Sequence, residues 1–151
     1  MTTLKATLHD DLTAAIKARD QLRSATLRLT LSAIGYEETA GKTARELSDE
    51  EVLKIITREV KKRRDAAEAF EKGGRAESAA RERAEAELLT SYLPAQLTDE
   101  DLTAIVTAAV AATGASGPAA MGAVMKEVRP KVAGLAEGGR VAAEVKRQLA
   151  G

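Results

Sequence analysis

The side chains best placed to do chemistry in this chain are its cations. The run Lys61-Lys62-Arg63-Arg64 follows Lys54 and Arg58. At about 100° per residue, Lys54, Arg58 and Lys61 share one helix face, a strip of the kind that meets phosphates. Arg63 instead points into the apolar row of Val52, Ile56 and Val60, with Glu59 four residues earlier as its ion-pair partner. The acids Glu59, Asp65, Glu68 and Glu71 dilute the strip, and a solvated face with one arginine snorkelling along its own stem explains the same pattern. A second group lies near the C-terminus. From Ser116 onward the bases are Lys126, Arg129, Lys131, Arg140, Lys146 and Arg147, against Glu127, Glu137 and Glu144, a local net of +3. Residues 94–115 hold Asp99, Glu100 and Asp101 and no base, a net of −3. Such polarity suits phosphate-backbone contacts, and it equally describes ordinary solubilising charge.

Other chemistries are poorly supplied. Cysteine is absent, which excludes Cys-His nucleophiles and thiolate zinc sites, and His9 is the sole histidine, so no Ser-His-Asp arrangement is expected. His9 beside Asp10 and Asp11 is better read as a surface helix position than as a metal site. Glycine-rich phosphate loops do not occur. No catalytic residue, metal or cofactor is expected. Lys plus Arg and Asp plus Glu number 23 each, which argues against a uniformly basic nucleic-acid protein and leaves room for a local patch. The aromatic residues are Phe70, Tyr36 and Tyr92, too few for base-stacking platforms. An RNA partner would therefore be read by shape and phosphates, as a folded RNA is. No stretch approaches 18 apolar residues without charge, and the first residues lack an apolar leader, so no membrane contact is expected and the expected location is cytoplasmic.

The elements that position these cations read as helices. Ala, Leu, Glu, Lys and Arg dominate and aromatics are scarce, which disfavours a β-rich core. Leu4, Leu8, Leu12, Ala15 and Ile16 form the stripe of a first helix. A second runs from about Gln21 to Ala40 with two apolar faces, Leu22/Ala25/Leu29/Ala33 and Leu27/Leu31/Ile34, as expected of a helix with neighbours on both sides. Ser48 and Glu51 form a capping box, with Leu47 and Val52 as its hydrophobic staple, opening a third helix that runs to about Lys72 and stops at Gly73-Gly74. A fourth spans about Arg75 to Leu93 and is closed by Pro94. Thr98, first-turn acids and a Leu97/Leu102 staple open a fifth. Thr113-Gly114-Ala115-Ser116-Gly117-Pro118 ends it. A sixth carries Met121, Val124, Met125 and Val128 and ends or kinks near Pro130. Gly138-Gly139 precedes the last, which carries Val141, Val145 and Leu149. Gly122, beside Met121 and Met125, suits a close backbone approach, and Gly134 and Gly138 suit helix ends. The expected fold is all-α: a helical N-terminal domain of about four helices, residues 1–93, and a small three-helix domain, residues 94–151.

Several segments together resemble the YqeY family: Leu27-Arg28, the basic run of the third helix, Ser91-Tyr92-Leu93-Pro94-Ala95-Gln96-Leu97, Met121-Gly122-Ala123-Val124-Met125, and Pro130-Lys131-Val132-Ala133-Gly134-Leu135-Ala136-Glu137-Gly138. The C-terminal part is similar to the tail domain of GatB, a subunit of the tRNA-dependent amidotransferase, which helps to hold tRNA during glutamine-dependent amidation. The resemblance implies the same helical two-part fold and a tRNA partner, alone or within an aminoacyl-tRNA or amidotransferase complex. Carried over by position, the implied tRNA face is Lys126, Arg129, Lys131, Arg140, Lys146 and Arg147. The ATP- and metal-binding body of GatB has no counterpart here, so carbon–nitrogen ligase activity would attach to this chain by association alone. The resulting expectation is a non-catalytic tRNA-binding accessory module. The alternative is a protein-interaction adaptor that docks a partner through its helical N-terminal part.

Overall fold

The computed structural model describes residues 2–114 and 116–150; Ala115, in the connector named above, lies outside the described residues. The described chain is all-helical: α1 (Leu4–Lys17), α2 (Gln21–Thr39), α3 (Asp49–Lys72), α4 (Ala76–Thr90), α5 (Asp99–Thr113), a 3-10 turn at Pro118–Ala120, α6 (Met121–Val132) and α7 (Gly138–Ala150). The contacts separate into two compact units, Met1–Leu93 and Pro94–Gly151.

Unit 1 holds α1 to α4 around Leu8, Leu27, Ile34, Val52, Ile55, Ile56, Val60, Ala86 and Leu89. The start of α3 follows its local code: Ser48 Oγ accepts from Glu51 N–H at 3.2 Å while Glu51 Oε1 accepts from Ser48 N–H at 3.3 Å. Leu47 packs on the same core as Val52, which completes the staple. Asp49 also accepts from Leu4 N–H at 2.9 Å, so one carboxylate serves the first turns of two helices. Between α1 and α2, Arg19 stands at φ 57, a left-handed conformation usually left to glycine. Two buried threonines on α2 satisfy their hydroxyls on their own helix: Thr26 donates to Leu22 O at 2.8 Å and Thr30 to Thr26 O at 2.9 Å.

Three expectations change in unit 1. Ile16, at the edge of the α1 stripe, is 47% exposed. Of the two apolar faces of α2, one carries the buried Leu27 and Ile34, while the other leaves Leu29 56% exposed, because α1, α3 and α4 do not close over it. The fourth helix ends at Thr90, short of Leu93; Tyr92 N–H and Leu93 N–H turn back to Leu89 O and Thr90 O at 3.1 and 3.0 Å, a tightening typical of a helix end ahead of proline. The Tyr92 hydroxyl donates to Asp11 of α1 and accepts from Arg23 Nη2 of α2 at 3.4 Å, so the end of α4 is fastened to two other helices.

Unit 2 packs α5, α6 and α7 around Leu102, Val106, Ala109, Val124, Val128, Val132, Val141, Val145 and Leu149. Thr98 and Asp101 form a second capping box, and Leu97 joins Leu102 on the core. Leu97 N–H donates to Leu135 O at 2.7 Å and Gln96 Nε2 to Gly134 O at 3.1 Å, so the entrance to α5 is stitched to the turn after α6. Gly134 takes φ 75 there, as a helix-terminating glycine does. Pro130 does not end α6, which continues to Val132. Proline deprives only the Lys126 carbonyl of its helical donor, and both residues are exposed, so water can take the place of that bond. Gly138 is the first residue of α7, and a Cβ on Gly122 would meet nothing within 4 Å, so no close helix crossing occurs there.

Candidate nucleic-acid interface

The cations singled out in the sequence fall into two groups, one in each unit. On α3, Lys54, Arg58 and Lys61 are all exposed, as their helical phase requires. Lys61 Nζ lies 2.8 Å from Asp65 Oδ2, an exposed pair one turn away. Arg63 departs from the snorkelling pattern. It is 6% exposed, and its Nη1 donates to Glu59 Oε1 at 3.2 Å and to Glu59 O at 3.3 Å. Its Nε lies 3.3 Å from Glu85 Oε2 of α4, close enough for an ion pair but not aligned for a hydrogen bond. Arg81 closes the far side, with Nε 3.3 Å from Glu85 Oε1. A buried charge is tolerated when it is matched, and here one arginine stands against two carboxylates. Beside this cluster, burial and the Glu85 charge push the Glu82 carboxyl up.

On α6, Val124, Val128 and Val132 face the core. At about 100° per residue, Lys126 and Arg129 lie about 60° apart on one side of the helix. Lys131 falls on the opposite side, 3.6 Å from Glu127 Oε1. On α7, Arg140 reaches back to α5: Nη2 donates to Leu97 O at 3.1 Å and to Asp99 Oδ1 at 2.8 Å. This bond joins the positive and negative segments of unit 2 noted in the sequence. Arg147 pairs with Glu144; its guanidinium, with Gln148 Nε2 second, brings the Glu144 carboxyl down to about 2. Lys146 lies about 100° around α7 from Arg147. Lys54, Arg58, Lys126, Arg129 and Lys146 make no ion pair among the described residues, whereas Lys131, Arg140 and Arg147 each have a carboxylate partner.

Three arginines outside both groups also come together in unit 1. Arg19, Arg28 and Arg81 line one open cleft of unit 1 although they belong to the α1–α2 connector, α2 and α4. No spacing rule links positions so far apart. The left-handed Arg19 is the one local oddity in that group, and it shows only in the backbone. Among the described residues no group of three or more His, Cys, Asp or Glu gathers as metal ligands, and no single helix is long and apolar enough to cross a membrane.

Fold and surface together define a small all-α protein of two helical units, with apolar cores and cations spread over the outer faces of α3, α6 and α7. The family model described as Yqey-like protein matches residues 5–149, nearly the whole chain, and the chain belongs to that family. It is also similar to a Schizosaccharomyces pombe protein described as "Uncharacterized protein C22F3.15", with 31% identity over 91 residues, 60% of this chain and 72% of that one.

Proposed function

We propose that this protein is a non-catalytic accessory module that binds tRNA, acting in the cytoplasm alone or with an enzyme that works on aminoacyl-tRNA. The observation that carries the reading is the set of cations on unit 2, where Lys126, Arg129 and Lys146 stand on exposed helix faces with no ion pair among the described residues. Unpaired surface cations release counterions when they meet phosphates, which is the main source of affinity for nucleic-acid backbones. Scarce aromatics favour recognition of a folded RNA by shape.

The test is binding of bulk tRNA across a salt series. Lys126→Glu/Arg129→Glu/Lys146→Glu is expected to weaken binding by at least about tenfold and to flatten the salt dependence, since three phosphate contacts are removed. Lys131→Glu is expected to cost less, because its cation is already shared with Glu127. Absence of saturable wild-type binding at low salt would overturn the reading.

A second reading has its own observation. Leu22, Ala25, Leu29, Ala33 and Tyr36 lie on one face of α2, with Leu29 56% and Tyr36 75% exposed. An apolar row of that kind suits a docked partner helix, and the protein would then be an adaptor. Such docking would be nearly insensitive to salt and lost in Leu29→Asp/Tyr36→Asp, which separates the two readings.

A further inference from the structure

We infer that the cleft formed by Arg19, Arg28 and Arg81 in unit 1 is a second phosphate-contacting site, one that grips the backbone of a folded RNA independently of unit 2. The cleft has a volume of about 510 Å³ and is lined by Ile16, Arg19, Gln21, Ser24, Ala25, Arg28 and Arg81. Three of those seven residues are arginines and none is acidic. Asp20, next to Arg19 in the chain, accepts from Arg23 N–H at 3.1 Å as the N-cap of α2, and of the three arginines Arg81 shares Glu85 with Arg63. Arg19 and Arg28 are exposed and make no ion pair among the described residues.

The neighbouring groove shows what a self-satisfied surface looks like in this unit. It is lined by Leu29, Ala33, Glu59, Lys62, Arg63, Ala66, Glu82 and Glu85, three acids against two bases, and its arginine is already paired. The arginine cleft has the opposite balance.

The ligand class follows from what the cleft offers and lacks. Arginine forks fit phosphate oxygens in pairs. The cleft is open and far larger than one phosphate group, and its two arginines without an ion pair, Arg19 and Arg28, come from separate elements, which suits successive phosphates of a polymer. No aromatic lines it, so bases are not stacked there. The inference rests on the RNA-binding reading, but it concerns other residues and can fail alone.

The experiment uses bulk tRNA with the full-length chain, comparing wild type, Arg19→Gly/Arg28→Gln, and Lys126→Glu/Arg129→Glu/Lys146→Glu across a salt series. Glycine suits the backbone at position 19, so the thermal midpoint of the cleft variant should equal or exceed that of wild type, and a loss of binding then cannot come from unfolding. The expected result is at least about tenfold weaker binding for the cleft variant, with a salt slope shallower by about 1.5 to 2 for two lost phosphate contacts. Unchanged affinity and slope in that variant, with wild type and the unit 2 variant clearly different, would overturn the cleft and leave the RNA reading standing. Failure of the wild type to bind at low salt would remove both.

Discussion

The two units bury different kinds of side chain. All the buried polar and charged residues among those described, Ser24, Thr26, Thr30, Glu59, Arg63 and Glu85, belong to unit 1. The buried set of unit 2 is wholly apolar, mostly valine. In unit 1 the small side chains of Ala67, Ala79 and Ala86 are buried on α3 and α4, the pair of helices that carries Arg63 and its acids. Thin alanine contacts leave little apolar bulk, and Arg63 with its two carboxylates fills part of the space. In unit 2 the interior is filled by branched aliphatic side chains, and every lysine and arginine named there keeps its charge at the surface. A basic run in a sequence is therefore not a basic surface: the run on α3 surrenders one of its four cations to the interior, while the scattered cations of unit 2 stay outside.

The sharpest way to break this contrast is Arg63→Met, which strands the buried Glu59 without its ion-pair partner and leaves Glu85 with Arg81 alone. It is expected to destabilise unit 1 by about 3 to 5 kcal/mol in urea unfolding, whereas the triple change Glu59→Leu/Arg63→Met/Glu85→Leu is expected to be near neutral or stabilising. A loss below about 0.5 kcal/mol for the single change, the size of a surface effect, would mean that the cluster is not the brace described.

Helix starts are where the units should agree. Ser48→Ala in unit 1 and Thr98→Ala in unit 2 each remove half of a capping box and are expected to cost about 1 kcal/mol apiece. Hydrogen exchange in the first turns of α3 and α5 would report both. A markedly larger loss at Ser48 would show that the Arg45–Glu51 pair, which has no counterpart at Asp101 among the described ion pairs, adds to the cap.

Titration gives the smallest effects. The Arg45 guanidinium, with the Ser48 N–H, holds Glu51 at about 2, and Arg147 does the same for Glu144. Both folded values lie below the ordinary carboxylate value of about 4.3. Each group thus contributes stability above that value, and the contribution is lost as pH falls toward 2. Acid unfolding should draw on one such carboxylate in each unit, and carbon-detected NMR titration would assign them. Alkali should act on unit 1 through Tyr92, whose phenol is raised to about 12 by burial and by its bond to Asp11. Its stabilising effect is complete below about 10 and disappears as pH rises through 12. Phenolate absorbance of wild type minus Tyr92→Phe would show that late step, and a difference spectrum centred near 10 would contradict it.

Much of the architecture is written in interactions that span five residues or fewer, and those are what a sequence displays. The capping boxes at Ser48/Glu51 and Thr98/Asp101, their staples, the stops at Gly73 and Gly114, the Glu59–Arg63 pair and the outward phase of Lys54, Arg58 and Lys61 are all of this kind. Helical periodicity and local hydrogen bonds set them before any helix meets another. The remainder depends on which helices become neighbours. Glu85 joins Arg63 across α3 and α4, Asp99 takes Arg140 across unit 2, and Arg19, Arg28 and Arg81 converge on one cleft. Leu29 and Ile16 carry the same apolar side chains as the core, yet they are exposed because no helix lies over them. Burial and charge pairing over such separations depend on helix placement, which is the joint outcome of all the contacts at once, so no single segment encodes them.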